Sequence, residues 1–343
     1  MTYKASRSTS NDNDKRNGLI RSNKYHSRDI GIKELKVEHF MTKNPIVARS
    51  VINFPGGVDV MTTNNISNLV VVENRKPIGI LTEREILHYL INYKTIPSGR
   101  LLKDVVLQPF CKVNLNTMLL EAARKMIVKK CRVLVFGGGS ESGIRGGSAE
   151  GSDTNKQGDE DLIGIITASD MVRAFAEQKD RNPPLKSVMS KSIAFISSDD
   201  SIYDAVKVMH TRNIGSVVVV ADGKNDTLEP VKKRRLYGIF TERDLMTRVL
   251  SNDVSIDEPV REYCSTELLT AQMGTKAIEA AKVMCLRKIK RLPLTTEVTA
   301  TRDSSSLPEV IRIDDKYNLE GMVTARDLVD VFSTTTNQVY NGS

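Results

Sequence analysis

The feature that constrains this chain most is that it repeats itself four times. VEHFMTKNPI from Val37, LKDVVLQPFC from Leu102, LKSVMSKSIA from Leu185 and VREYCSTELL from Val260 fall into one register. In each copy a methionine stands 24 residues after the opening aliphatic residue, at Met61, Met126, Met209 and Met284, with no gap needed. A unit of about 60 residues is too small to bury both faces of its own sheet, so such units must pack on one another.

Each copy carries the same internal pattern. Leu120 to Met126, Ala205 to Met209 and Ala277 to Met284 place apolar residues at helical spacing. The runs that follow, NISNLVVV, KCRVLVF, NIGSVVVV and KIKRLPL, are short and β-branched and predict buried strands. Then come GILTEREI from Gly79, GIITASDM from Gly164, GIFTERDL from Gly238 and GMVTARDL from Gly321, each a short strand entering a helix at its threonine. The opening residue and this glycine are 42, 62, 53 and 61 residues apart, and all the variation falls between two strands. Length that varies in one place marks a surface hairpin loop. The longest, residues 137–160, is rich in glycine and serine and is expected to be flexible; it lacks the Gly-Lys-Ser/Thr of a phosphate loop.

The expected fold class is therefore α/β (mixed α+β): four repeats of strand-helix-strand-strand-helix, packed pairwise, the first with the second and the third with the fourth. The expected divisions are a basic tail (1–36), four units (37–98, 99–180, 181–253 and 254–333) and a C-terminal tail (334–343).

Composition narrows the class. With 343 residues, 40% hydrophobic and 27% charged, the chain is ordinary for a soluble globular protein. No apolar run approaches the roughly 18 residues of a membrane span, and the first residues lack the apolar core of a secretory leader. Cys111, Cys131, Cys264 and Cys285 lie far apart with no CxxC pair, so a reducing, cytoplasmic setting is expected. His26, His39, His88 and His210 do not cluster, and no nucleophile-base constellation can be built from spacing. Net charge is +8, but residues 1–36 hold nine Lys or Arg against four Asp or Glu, so +5 of it lies in the tail. The folded body is nearly neutral. The run Lys232 to Arg235 reads as solvated loop charge rather than a nucleic-acid patch.

Four openings of the MT-x-NP kind, together with four Gly-x-x-Thr-x-x-acidic motifs, resemble cystathionine β-synthase (CBS) domains, paired as two Bateman modules from residue 37 to about 333. The resemblance implies a regulatory protein without catalysis of its own. It implies AMP, ADP or ATP, or S-adenosylmethionine, bound in clefts between paired units, with occupancy read by a protein partner or by a second copy of the chain. Thr82, Thr167, Thr241 and Thr324 stand where a hydroxyl and helix N–H groups can hold a phosphate. The same pattern is also a capping box, which would place them for local reasons.

In the family an Asp at the fourth position of this motif contacts ribose. Asp170, Asp244 and Asp327 match it; the first copy has Glu85, so its site is expected to be empty. Adenine recognition would fall to the first strands (Pro45 to Val47, Pro109 to Cys111, Ile193 with its neighbours, Thr266 to Leu268) and the second-strand starts at Ile66, Cys131, Ile214 and Ile289; plain core is the competing reading. RKIKRLPL resembles the HRLP-like segment by which the γ subunits of AMP-activated protein kinase, also four-unit proteins, contact phosphates. That makes Lys290, Arg291 and Arg132 phosphate candidates, with Arg243 and Arg326 beside them. A competing function is a nucleic-acid-binding regulator using the basic tail and Lys232 to Arg235.

Overall fold

The structure, a computed structural model, describes residues 34–105, 107–137, 161–179, 182–221, 236–297, 309–311 and 317–334. Both tails, the glycine-rich loop from 138 and the run Lys232 to Arg235 lie outside the described residues.

The first unit contains α1 (Val37–Phe40), β1 (Thr42–Lys43), β2 (Val47–Arg49), α2 (Phe54–Thr63), β3 (Asn68–Glu73), β4 (Lys76–Thr82) and α3 (Glu83–Tyr93). The second contains β5 (Phe110–Asn114), α4 (Leu119–Val128), β6 (Arg132–Gly137), β7 (Asp161–Ile166) and α5 (Ala168–Ala176). The third contains β8 (Phe195–Ser197), α6 (Ile202–Thr211), β9 (Ser216–Val220), β10 (Leu236–Thr241) and α7 (Glu242–Asp244). The fourth contains β11 (Leu268–Gln272), α8 (Ala277–Arg287), β12 (Arg291–Glu297), β13 (Glu309–Ile311), β14 (Tyr317–Thr324) and α9 (Ala325–Thr334).

In every unit the strand before the crossover helix (β2, β5, β8, β11) runs parallel to the strand after it (β3, β6, β9, β12), which pairs antiparallel with the unit's last strand (β4, β7, β10, β14). The repeated methionines face inward: all four are buried, each on its helix's apolar side. Local signals set the starts of the crossover helices. Asn53 accepts from the Gly56 N–H at the head of α2, where a proline occupies the first turn, and Ser201 closes a capping box with Asp204 on α6.

The last helix of the third unit departs from expectation. Three α residues pass into a π-turn over Leu245–Val249 and a 3-10 turn over Leu250–Asn252. The side chains of Ser251 and Asn252 bond back to the Thr247 carbonyl, which supplies partners for backbone groups outside the α ladder.

The units pair in two ways at once. Sheet faces meet within each half: Val70 and Ile80 of unit one pack on Leu134, Phe136 and Ile165 of unit two, while Val218, Val220 and Ile239 of unit three pack on Leu268, Leu319 and Met322 of unit four. Helices meet across the halves. One core joins Leu87 and Leu90 of α3 to Val206 and Met209 of α6, and a second joins Phe175 of α5 to Ala281 of α8 and Phe332 of α9. The strand faces are Val- and Ile-rich because both sides are covered.

Two expectations drawn from spacing are corrected. Cys111 and Cys131 form a disulfide, with Cα atoms 6.1 Å apart. They lie 20 residues apart in sequence, but parallel pairing sets Cys111 opposite Val133, two residues beyond Cys131. His88 and His210 do come together: Nδ1 of His88 lies 3.4 Å from Nε2 of His210, because α3 and α6 pack across the two halves.

Candidate functional site

The glycine of each Gly-x-x-Thr motif marks where the sister unit's chain crosses. A Cβ on Gly164 would stand 2.6 Å from Sδ of Met41, and one on Gly321 2.6 Å from Sδ of Met189. On Gly79 it would meet Cβ of Leu107 at 2.6 Å, and on Gly238 the carbonyl oxygen of Ser265 at 2.7 Å. The crossing segment pairs with the following residue: Thr42 with Ile165, Gln108 with Ile80, Ser190 with Met322 and Ser265 with Ile239. Each threonine-to-carboxylate motif thus lies beside a polar residue from its sister. Residue-by-residue reading missed these four; three are the hydroxyl residue after the Met or Cys of each opening (Met41-Thr42, Met189-Ser190, Cys264-Ser265), a signal present in the repeat.

All four motifs close as capping boxes. One carboxylate oxygen accepts from the threonine backbone N–H, at 3.0 Å for Glu85, 2.9 Å for Asp170, 3.0 Å for Asp244 and 2.7 Å for Asp327. The same oxygen accepts from the threonine hydroxyl, at 2.7 Å in the three Asp copies and still closer from Thr82. The threonines are therefore committed to fixing the carboxylate, and aspartate closes the box as well as glutamate does.

The copies differ at the second oxygen. Oε1 of Glu85 takes a 2.5 Å hydrogen bond from the Gln108 amide. Oδ1 of Asp170 is paired with Arg173 at 3.3 Å. Oδ1 of Asp244 accepts from the Ser265 hydroxyl at 3.2 Å and faces Arg248 at 3.4 Å. Among the described residues no hydrogen bond or ion pair reaches Oδ1 of Asp327. Burial pushes the Asp170 carboxyl above the usual range against the pull of Thr167.

Where the four units meet, the helix starts of units one and three exchange ion pairs. Arg243 reaches Glu83 at 3.2 Å, and Arg84 reaches Glu242 at 3.6 Å. Arg84 also donates to Asn213 at 2.5 Å, and Arg243 to Asn65 and, at 2.8 Å, to Ser67. Unit four adds Lys290, 3.5 Å from Glu83 and 2.5 Å from the Ser67 hydroxyl, and Arg291, 3.1 Å from Glu242. Gly215 makes room for that last pair, since a Cβ there would strike both Arg291 and Glu242. Arg132 of unit two donates to Asn68 at 2.8 Å.

The sum is cationic. Arg84, Arg132, Arg243, Lys290, Arg291 and Arg326 act on one another in a network whose carboxylates are Glu83, Glu85 and Glu242. Burial would raise the Glu242 carboxyl, but Arg291, Arg84 and Lys290 hold it below its ordinary value. Burial pulls Lys290 and Arg132 below theirs, against Glu83 and Glu85 respectively. These cations carry charge that the network does not fully neutralise. Excess positive charge on half-buried side chains is what an anionic group would relieve.

The sequence candidates thus gather unevenly. Lys290, Arg291, Arg132 and Arg243 converge; Arg326 is exposed at the head of α9, within electrostatic reach of Arg132. Ile193 packs between the sheets of units three and four, Ile214 and Ile289 against the two helical cores. Among the described residues no helix is long and apolar enough to cross a membrane, and no three His, Cys, Asp or Glu side chains gather as a metal centre.

This architecture, two sheet-paired halves with a capped carboxylate at each helix start, defines a class: proteins of tandem strand-helix repeats. Residues 37–92 and 185–251, in the first and third units, match the CBS domain family. It is similar to protein MJ1225 of Methanocaldococcus jannaschii, at 23% identity over 155 residues, 41% of this chain and 51% of that one. The inosine-5'-monophosphate dehydrogenase of Bacillus subtilis is 27% identical over 170 residues, which is 49% of this chain but 28% of the enzyme. In sequence, then, the chain spans about half of the first relative and about a quarter of the second. The solved structure of MJ1225, described as a proposed archaeal homologue of g-AMPK, superposes on 87% of this chain with a TM-score of 0.61 at 18% identity, and a Pyrococcus horikoshii protein with 0.51 at 19%. These last two establish likeness of fold.

Proposed function

We propose that this chain is a non-catalytic sensor of adenosine nucleotides, AMP, ADP or ATP, with S-adenosylmethionine as an alternative ligand. Ribose would be held by Asp327 or a sister carboxylate, and phosphates by Lys290, Arg291, Arg243 and Arg132. The observation that carries this reading is the surplus of half-buried cations where the helix starts of units one and three meet Lys290 and Arg291 of unit four and Arg132 of unit two. It is supported by the uncommitted Oδ1 of Asp327, which leaves one acceptor for vicinal hydroxyls. The fourth cleft is the best candidate and the first the poorest, because Gln108 already occupies the second oxygen of Glu85.

A ligand bound at this junction touches both halves, so occupancy would bias their packing and be read by a protein partner or a second copy. A nucleotide at about 100-fold over its Kd stabilises by about 2.7 kcal/mol per site, so thermal shift resolves it. The expected result is a rise in Tm with at least one of AMP, ADP, ATP or S-adenosylmethionine. A flat response to all four overturns the reading.

A further inference from the structure

We propose that Glu83 and Glu242 are internal anions that occupy the phosphate-binding cations of unit four while no ligand is bound, and that an incoming phosphate chain displaces them. The inference rests on the reading of the junction as a phosphate site. The two carboxylates open α3 and α7, and the matching first residues of α5 and α9 are Ala168 and Ala325. A helix start in this repeat therefore does not require them. They stand where cations of units one, three and four converge, only 5% and 8% exposed.

Each carboxylate holds two cations, one resident and one exchangeable. Glu83 has Arg243 of unit three at 3.2 Å and Lys290 of unit four at 3.5 Å. Glu242 has Arg84 of unit one at 3.6 Å and Arg291 of unit four at 3.1 Å. When a phosphate chain takes Lys290 and Arg291, neighbours in the sequence, each carboxylate still keeps an arginine. Neither becomes an unpaired buried charge, the outcome that would make displacement costly. Glu83 is also incompletely held: its Oε1 is buried with no hydrogen bond among the described residues, although Arg243 faces it as an ion pair. A carboxylate so poorly satisfied loses little when Lys290 leaves. Against burial, Arg291, Arg84 and Lys290 keep Glu242 ionised at neutral pH. The contact of Lys290 with Glu83 joins unit four to unit one, so the exchange removes a tie between the halves and couples occupancy to their packing.

The test is calorimetric titration of inorganic pyrophosphate, and separately of ATP, ADP, AMP and S-adenosylmethionine, into the full-length chain and its variants at low salt and neutral pH. Glu83→Ala and Glu242→Ala carry the residue that units two and four have at this position, and Glu242→Gln keeps the side-chain volume as a guard against misfolding. Each variant should bind pyrophosphate about tenfold more tightly than the native chain, the change expected from removing one charge-assisted competitor. Its ligand-free Tm should fall as the cations repel one another, and pyrophosphate should restore it. A carboxylate with only a structural role gives the fall in Tm without the gain in affinity. Pyrophosphate affinity unchanged or weaker in the folded variants, or no pyrophosphate binding to any of them, overturns the proposal. The nucleotide arm separates it from the reading it rests on. The expected pyrophosphate result with no adenosine ligand bound retires the nucleotide reading alone, whereas nucleotide binding with no gain in the variants retires this proposal alone.

Discussion

At the residue scale, what separates the four motifs is the second carboxylate oxygen, which in Asp327 alone has no hydrogen bond or ion pair among the described residues. Asp327→Ala should cut nucleotide affinity about tenfold or more by calorimetry, with a cap loss of about 1 kcal/mol in stability. Glu85→Ala should leave affinity and stoichiometry unchanged, since Gln108 fills the position a ribose hydroxyl would need. Lys290 separates binding from stability. Burial disfavours its charge, and Glu83 keeps Arg243 as a partner if the lysine is lost. Lys290→Met should therefore leave the ligand-free Tm unchanged or raised while weakening nucleotide binding; a fall of several degrees without ligand would show the lysine to be structural.

At the element scale, the glycine of each third strand is fixed by the approach of the sister chain. Gly238→Ala drives a Cβ to 2.7 Å from a backbone carbonyl, that of Ser265, whereas Gly321→Ala meets the flexible end of Met189 first and the Ser190 carbonyl only at 3.1 Å. The first should cost about 1–3 kcal/mol in denaturant unfolding and the second clearly less. The disulfide closes β5 and β6 around α4. With its cysteines 20 positions apart, its reduction should lower stability by about 3 kcal/mol, read as a drop in Tm on adding dithiol that Cys111→Ser reproduces. Repeat spacing predicted the strands and helices, but neither the π-turn after α7, which goes with Ser251 and Asn252 bonding back to Thr247, nor the disulfide, which depends on what a neighbouring strand presents.

At the scale of the whole molecule, sheet faces join units within each half and helices join the halves. Residues 34–179 expressed alone would expose the apolar faces of α3 and α5, and should associate as a homodimer by light scattering. A monomer would show that the helical cores contribute little. The junction also sets acid behaviour. Glu242 has a folded pKa below its unfolded value of about 4.3, so its contribution is present above that value and lost as pH falls through the folded one. Glu242→Gln should flatten the acid limb of a Tm-against-pH profile. Asp170, with a raised folded value, works in the opposite sense.

The order of elements, the sheet pairing of units one with two and three with four, and the carboxylate motifs were legible in the residues. Repetition writes itself into spacing, and strand and helix periods are local. The charge network was half legible: Lys290, Arg291, Arg132 and Arg243 stood out as cations, but their acidic partners Glu83 and Glu242 did not. Those pairs join residues more than a hundred positions apart, or in different units, and no spacing rule connects them. The meeting of His88 with His210 was decided in the same way, by the packing of α3 on α6. That packing follows from buried apolar area, which is non-directional: it required the helices to find partners, and only the folded shape of the two halves settled which partners they were.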